Sequence, residues 1–281
     1  MTQTLSRPGP TDRGEPVLSM TGISKRFGAV QALTDISFSV SEAEVVALVG
    51  DNGAGKSTLV KVIAGVHQPD AGTITFDGRA VTMARPQDAQ RLGIATVFQD
   101  LALCDNLDVV ANLSLGQEHM RGVFLDEVEM ERQAWALLKQ LSAKIPSVRI
   151  PIAGLSGGQR QTVAIARSLI GDPKVVMLDE PTAALGVAQT AEVLNLVERL
   201  RENGHGVILI SHNMADVQAV ADRIVVLRLG RNAAEFVTSE VTTDQLVASI
   251  TGASDNVVTQ RRDRGVTSLA KDGSLNQGDQ A

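Results

Sequence analysis

Short apolar runs alternate with amphipathic stretches along most of this chain. Residues 45–49 are apolar at every position, which is typical of a central parallel strand covered on both faces. Ile36, Phe38 and Val40 instead alternate with polar residues, as in a half-buried strand. Strands that alternate with helical stretches predict an α/β fold. Further strands are predicted at residues 17–20, 30–40, 94–98, 175–178, 207–210 and 224–227.

The pattern changes between residues 100 and 155. Residues 109–115 and 127–141 carry apolar side chains at helical spacing, and no strong strand pattern lies between them. In the second stretch the apolar positions include Val128, Trp135, Leu138 and Leu141. An inserted helical subdomain is therefore predicted at about residues 100–155, and a last helix at 243–250.

Composition and charge narrow the class of protein. Of the 281 residues, 43% are hydrophobic and only 2% aromatic, so aliphatic side chains must fill the core. The formal net charge of −6 argues against a nucleic-acid partner, which needs a basic face. The single cysteine, Cys104, fits a reducing compartment. The sequence shows neither a signal peptide nor a run of about 18 apolar residues that could span a bilayer, so a cytoplasmic chain is expected.

One domain is expected at residues 17–251. Residues 1–16 are rich in Pro, Gly, Thr and Arg and are expected to form a flexible lead-in. Residues 252–281 are polar and are expected to be a disordered tail, in which the basic run at 261–264 is a solvated segment.

A glycine-rich segment after the strand at 45–49 fits the phosphate-binding pattern G-x-x-x-x-G-K-S. Its glycines let successive backbone N–H groups turn toward phosphate oxygens, and the helix that follows adds the positive end of its dipole. Lys56 is expected to bridge the β- and γ-phosphates, Ser57 to ligate Mg²⁺ and Thr58 to touch the α-phosphate. The residues expected to hold ATP are Gly50, Asp51, Asn52, Gly53, Ala54, Gly55, Lys56, Ser57 and Thr58.

Two adjacent carboxylates, Asp179 and Glu180, follow the apolar strand at 175–178. Asp179 is expected at the carboxyl edge of the sheet, where it can hold Mg²⁺ through water. The pleat of the strand directs Glu180 elsewhere, so it can act on the water that attacks the γ-phosphate. Two buried carboxylates without a cation are costly, which disfavours a purely structural role for the pair.

The pentapeptide at residues 155–159, Leu-Ser-Gly-Gly-Gln, is a much rarer pattern than the phosphate loop. Together with that loop, Asp179-Glu180 and Ser211-His212, in this order, it resembles the ATP-binding-cassette ATPases. The resemblance covers about residues 17–251. It implies a P-loop NTPase that hydrolyses ATP with Mg²⁺ and has a mixed central sheet, an N-terminal antiparallel β subdomain and an inserted α-helical subdomain.

Several residue roles follow from this resemblance alone. Gln99 matches the Q-loop glutamine, which contacts Mg²⁺ and senses the membrane partner, and His212 matches the switch histidine that contacts the γ-phosphate. Phe27 matches the aromatic residue on which adenine stacks, and a core phenylalanine is the alternative. The other histidines, His67, His119 and His205, match no motif and are expected in loops.

The pentapeptide implies a dimer. In the family's head-to-tail pair, this segment of one copy caps the γ-phosphate that the other copy holds, so a homodimer, or a pair with a close paralogue, is expected. One position departs from the family pattern. Gly186 stands where an aspartate usually contacts the opposite subunit, and Asp216 or Gln189 are candidates to compensate. The residues carried over for the cap are Ser156, Gly157, Gly158 and Gln159.

Residues 23–28 and 181–187 resemble the carbohydrate importers, especially the monosaccharide (ribose, xylose and fructose) branch. This implies a peripheral ATPase pair on the cytoplasmic face of the cell membrane. Two membrane permease subunits and an extracytoplasmic sugar-binding protein would complete the importer, and the sugar itself stays open. A cassette of an exporter or of an importer for another substrate is one alternative, and a cytosolic cassette of translation or DNA repair is another.

Overall fold

The computed structural model describes residues 15–253. The segments expected to be flexible, 1–16 and 252–281, lie almost entirely outside these residues. In chain order the strands are β1 (Leu18–Phe27), β2 (Val30–Val40), β3 (Val45–Gly50), β4 (Ala71–Phe76), β5 (Arg79–Val81), β6 (Ile94–Val97), β7 (Met120–Arg121), β8 (Phe124–Leu125), β9 (Val175–Asp179), β10 (Gly206–Ile210), β11 (Arg223–Arg228) and β12 (Arg231–Val237). The helices are α1 (Lys56–Ile63), α2 (Pro86–Leu92), α3 (Val109–Ser114), α4 (Glu127–Gln140), α5 (Gly157–Ser168), α6 (Val187–Glu202), α7 (Met214–Val220) and α8 (Thr243–Thr251).

The central sheet has the strand order β12-β11-β3-β10-β9-β6. Its inner strands run parallel and β12 pairs antiparallel with β11, so the sheet is mixed. Because side chains alternate across a strand, Val45, Ala47 and Val49 enter one hydrophobic core while Val46 and Leu48 enter the other. The continuously apolar run of β3 is explained by this burial on both faces.

A second sheet, of order β2-β1-β4-β5, is antiparallel throughout. Its buried face includes Ile36, Phe38 and Val40, which pack in the same core as Leu48 and the apolar face of α1. The alternating pattern therefore predicted β2 correctly. The fold class is confirmed, including the N-terminal antiparallel sheet and the helical segment between β6 and β9.

The helical segment between β6 and β9 differs from expectation in one respect. Helix α4 buries Met130, Ala134 and Leu138 against α3. Val128 is 80% exposed and Trp135 is 42% exposed, so only Leu138 and Leu141 of the four apolar positions named from the sequence are buried. The segment also contains the short hairpin β7–β8, whose side chains are exposed.

Within residues 15–253, none of the helices combines the length and the apolar character that crossing a bilayer requires.

Candidate functional site

The order of four neighbouring strands, β3-β10-β9-β6, brings the candidate residues together. Ile210 of β10 pairs with Leu48 of β3 on one side and with Asp179 of β9 on the other, so these parallel strands end level with one another. The carboxyl ends of parallel strands in an open sheet are where ligands bind. The segments that leave this edge carry the phosphate loop at 50–58, His212, Glu180 and Gln99.

The phosphate loop is held in its turn by glycines that no other residue could replace without strain. Gly50 lies so close to the backbone carbonyl of Leu227 that a Cβ atom there would clash. Gly55 has φ = +104° and lies against Leu33, and it is the last residue before α1. The loop borders a cleft of about 400 Å³, whose lining residues are Val30, Gln31, Ala32, Leu229, Gly230 and loop residues 51–58.

Lys56 folds back over the phosphate loop. Its Nζ donates hydrogen bonds to the carbonyl oxygens of Gly50, at 2.7 Å, and Asp51, at 3.0 Å. These partners belong to the loop itself, so the ammonium is held at the mouth of the cleft. Phosphate oxygens are stronger, charged acceptors and can take over these bonds.

Asp179 and Glu180 adopt different roles at the end of β9. Burial, and then the charge of neighbouring Glu180, raise the pKa of Asp179, and the charge of Lys56 acts in the opposite direction. Glu180 has φ = +51°, an uncommon conformation for this residue type, and its N–H donates to the carbonyl of Ile210 at 2.9 Å. The regular strand geometry therefore ends at Asp179, and the alternation of side chains along β9 does not continue to Glu180.

His212 and Glu180 form a pair across two neighbouring strand ends. Nδ1 of His212 lies 2.7 Å from Oε2 of Glu180. The imidazole is exposed, whereas the Glu180 side chain is largely covered. A carboxylate paired with an exposed histidine at the edge of a nucleotide cleft can orient or deprotonate a water molecule.

Gln99 and Phe27 occupy the rim of this region. Gln99 is exposed two residues beyond Val97, whose strand pairs with β9. Phe27 ends β1 with 42% of its surface exposed, so it is not a core phenylalanine. Its ring meets His67, a loop residue to which the sequence assigned no role.

The pentapeptide lies at the start of α5. Ser156 caps this helix, its Oγ accepting from the N–H of Gln159 at 3.3 Å, while Oε1 of Gln159 accepts from the N–H of Ser156 at 3.0 Å. Ser156 and Gln159 line a cleft of about 350 Å³ beside α6 that shares no residue with the phosphate-loop cleft. Leu155–Gly158 are likewise absent from the walls of the phosphate-loop cleft of their own chain.

The loop around Gly186 shows what the two compensating candidates do. Gln189 accepts weakly from the N–H of Gly186, at 3.4 Å, at the start of α6. Asp216 is buried and accepts a hydrogen bond from the Thr182 hydroxyl at 2.7 Å. Asp216 is thus committed to its own chain, and the sequence carried no local signal for this contact.

The chain is similar to known transport proteins. The ABC transporter family profile matches residues 33–183. The xylose/arabinose import ATP-binding protein XylG of Sulfolobus acidocaldarius is 45% identical over 76% of this chain and 86% of its own. The fructose import ATP-binding protein FrcA of Rhizobium meliloti is 42% identical over 86% of this chain and 96% of its own. Against a putative ribose/galactose/methyl galactoside import ATP-binding protein of Burkholderia lata, 42% identical, the chain spans only 46% of the relative's length.

Solved structures agree with these matches. An ATP-binding cassette of an ABC transporter in its ADP conformation is 27% identical, with a TM-score of 0.74, over 85% of this chain and 99% of its own. A dimeric cassette in a post-hydrolysis state, bound to ADP and Pi, is 26% identical, with a TM-score of 0.66, over 79% of this chain and 98% of its own. With a family match over more than half of its length and close relatives over most of it, this chain belongs to the ABC transporter family and is one of its ATP-binding ATPase cassettes.

Proposed function

We propose that this chain is the ATP-hydrolysing subunit of a monosaccharide importer and works as a head-to-tail pair beneath two permease subunits. The observation that carries the proposal is the convergence of the phosphate loop, Glu180, His212 and Gln99 at one sheet edge, with the pentapeptide in a separate cleft. Relatives whose names specify xylose/arabinose and fructose import support the sugar class.

The residues divide the work of hydrolysis among them. The loop N–H groups and Lys56 bind the phosphates, and Phe27 stacks on the base. Glu180 takes a proton from the attacking water as its oxygen bonds to the γ-phosphorus and the bond to the β-phosphate oxygen breaks. His212, 2.7 Å from Glu180, orients that carboxylate and donates to the γ-phosphate.

The donor set fits Mg²⁺. The hydroxyl of Ser57, the carboxylate of Asp179 and the amide oxygen of Gln99 are the oxygen ligands that Mg²⁺ prefers, and this ion binds with few protein carboxylates when phosphates supply further oxygens. Burial and the Glu180 charge raise the pKa of Asp179, and a cation at this edge would relieve that imbalance. Mg²⁺, when bound, neutralises phosphate charge, while Ser57, Asp179 and Gln99 hold it in register with the loop.

A second copy completes the site. The pentapeptide starts a 12-residue helix whose N-terminal N–H groups favour anions, and we assign Ser156, Gly157, Gly158 and Gln159 to the γ-phosphate held by the partner. A C2 pair satisfies both copies at once. The dimeric state of a 26% identical cassette supports this arrangement.

We assign a cleft of about 600 Å³ beside Gln99 as the binding site of a permease segment. Phe98, Leu101 and Leu115 give it apolar side chains, and α5 contributes Arg167. Gln99 follows the carboxyl end of β6, at the sheet edge proposed to bind ATP. A permease segment in this cleft would therefore respond to ATP bound at that edge. An extracytoplasmic sugar-binding protein would deliver the substrate to that permease.

The test is capture of partners from the source cell. Tagged Glu180→Gln chain, held in ATP, is purified from detergent-solubilised membranes, and its companions are identified by mass spectrometry. The matched control adds Lys56→Ala, which should weaken nucleotide binding and with it the formation of the closed pair. Recovery of a multi-spanning permease with a sugar-binding protein, lost in the control, is the expected result.

Other outcomes would contradict the proposal. Recovery of a permease from an export system, or of a permease together with a receptor for a non-sugar substrate, would contradict the assignment to monosaccharide import. Recovery of ribosomal or DNA-repair proteins with no membrane subunit would leave the ATPase chemistry and remove the transport role.

A further inference from the structure

The His67 ring packs edge-on against Phe27. The two ring centroids are 5.0 Å apart and the planes are inclined by 66°, the T-shaped geometry that aromatic pairs prefer. His67 lies in the loop between α1 and β4, 40 positions along the chain from Phe27. No motif includes it, and its backbone N–H donates to the carbonyl of Lys61 in α1 at 3.1 Å.

The loop that carries His67 is bound to the end of β1 by Asp70. The Asp70 carboxylate accepts from Nζ of Lys25 at 2.8 Å and from the backbone N–H of Arg26 at 2.6 Å. The N–H of Asp70 in turn donates to the carbonyl of Ser24 at 2.8 Å. The hydrogen bond from Lys25, and then the one from Arg26, lower the pKa of Asp70, so its carboxyl group is ionised at neutral pH.

These contacts leave a defined part of Phe27 free. Nζ of Lys25 lies 5.5 Å from the centroid of the Phe27 ring, a cation–π distance, and His67 meets the same ring. The Phe27 residue nevertheless stays 42% exposed. Phe27 is therefore supported from its own sheet and loop while apolar ring surface remains open to a planar base.

We propose that His67 is a positioning residue for the nucleobase, acting through Phe27, and that Asp70 holds the loop that presents it. The inference rests on the proposed role of Phe27 as the residue on which the base stacks. A ring with two flexible torsions loses part of its stacking energy if it must be ordered on binding, and an edge contact that orders it beforehand improves affinity. The effect must then depend on the base and not on the phosphates.

The experiment compares two ligands that share phosphates and differ in the base. Dissociation constants for ADP and for inorganic tripolyphosphate are measured by calorimetry on the full chain. His67→Ala should weaken ADP binding about 2- to 12-fold, the range expected for loss of an aromatic edge contact. It should leave the affinity for tripolyphosphate unchanged. His67→Phe, which restores the ring, should bind ADP like the original chain. His119→Ala, at a histidine that contacts Gln133 in the helical segment, is the matched control.

A double-mutant cycle separates this inference from the role of Phe27. Phe27→Ala alone should weaken ADP about 5- to 150-fold, as loss of base stacking does, and adding His67→Ala should then change nothing further. If Phe27→Ala leaves ADP affinity intact, the stacking role itself is refuted. Three outcomes would refute the positioning role of His67. In the first, Phe27→Ala weakens ADP binding while His67→Ala does not, and in the second, His67→Ala weakens the binding of ADP and tripolyphosphate equally. The third is that His67→Ala still weakens ADP binding when Phe27 is already alanine.

Discussion

The Thr182 hydroxyl donates a 2.7 Å hydrogen bond to the carboxylate of Asp216, a side chain that is only 6% exposed. Thr182 lies two residues after Glu180, and Asp216 lies four residues after His212. Glu180 and His212 are themselves in contact. Two hydrogen bonds therefore tie the loop after β9 to the segment after β10 within one chain.

Removing the Thr182 hydroxyl tests this tie. Thr182→Val keeps the shape but leaves the buried Asp216 without this donor, so the free energy of unfolding should fall by about 1–3 kcal/mol. ATP turnover should fall while ATP affinity stays unchanged, because the phosphate loop is untouched. Thr182→Ser, which keeps the hydroxyl, should retain turnover. Denaturant unfolding and steady-state kinetics measure both effects, and equal kcat values for the Val and Ser variants would show that the tie has no catalytic role.

Glu180→Gln tests the assigned base. The amide can still accept from Nδ1 of His212, so the geometry is kept while proton acceptance is lost. Turnover should fall by about 10²–10⁴-fold with nucleotide binding retained, and light scattering should detect an ATP-dependent dimer. Glu202→Gln, at the end of α6, is the control. Turnover near that of the original chain would exclude Glu180 as the base.

Lys56→Ala tests the phosphate contact. The ammonium that now donates to Gly50 and Asp51 would be lost, and ATP binding should weaken at least about 10-fold because hydrogen bonds from charged groups contribute about 1.5–3 kcal/mol. Lys61→Ala removes a basic residue from the last turn of the same helix and should bind ATP normally. Unchanged affinity in fluorescent-nucleotide titrations of the Lys56 variant would contradict the assignment.

Asp179 should make the stability of the metal-free protein depend on pH. Its pKa is raised in the folded chain above the unfolded value of about 3.9, so the folded state holds this proton more tightly. The ionised carboxylate therefore destabilises the fold above the folded pKa, and that destabilisation disappears as pH falls below the unfolded pKa. Asp179→Asn should raise the melting temperature in EDTA at pH 8, by more than at about pH 3.5, which lies below the unfolded pKa.

With Mg²⁺ and ATP added, the original chain should melt at a higher temperature than Asp179→Asn, because it gains ligand stabilisation that the Asn variant lacks. A melting-temperature difference that is the same at about pH 3.5 and at pH 8 would contradict the destabilising role of the charge.

Gly186→Asp tests the departure from the family loop. Gly186 has extended backbone angles and an added Cβ would meet nothing within 4 Å, so aspartate fits without strain. As an N-cap it should stabilise α6 by a few tenths of a kcal/mol. A carboxylate that reaches the opposite subunit should raise the Hill coefficient of ATPase activity. Unaltered rate and cooperativity would show that Gly186 is functionally silent.

Most of the fold could be predicted from local pattern. The strands β2, β3, β9 and β10 and helix α3 were predicted to within two residues, because alternation and continuous burial are properties of short segments. The phosphate loop and Asp179-Glu180 were identified for the same reason, since each is a contiguous run next to a strand. The domain limits 17–251 stay a prediction.

Helix α4 shows where local pattern stops. Two sets of apolar residues at helical spacing exist in it, and only one can face α3. Val128 lies two positions before Met130, about 200° round the helix, so burial of Met130, Ala134 and Leu138 leaves Val128 exposed. The partner surface, not the spacing, decides which set is buried.

The sequence by itself determined which segments carry the candidate site residues: the glycines of the loop at 50–58, a lysine, two carboxylates and a histidine. Only the tertiary structure decided their arrangement. The order β3-β10-β9-β6 places β3 beside β10 and β6 beside β9, although neither pair is consecutive in the chain, and the contacts Phe27–His67 and Thr182–Asp216 join residues 40 and 34 positions apart. Such contacts depend on packing between distant elements, and no local periodicity encodes them.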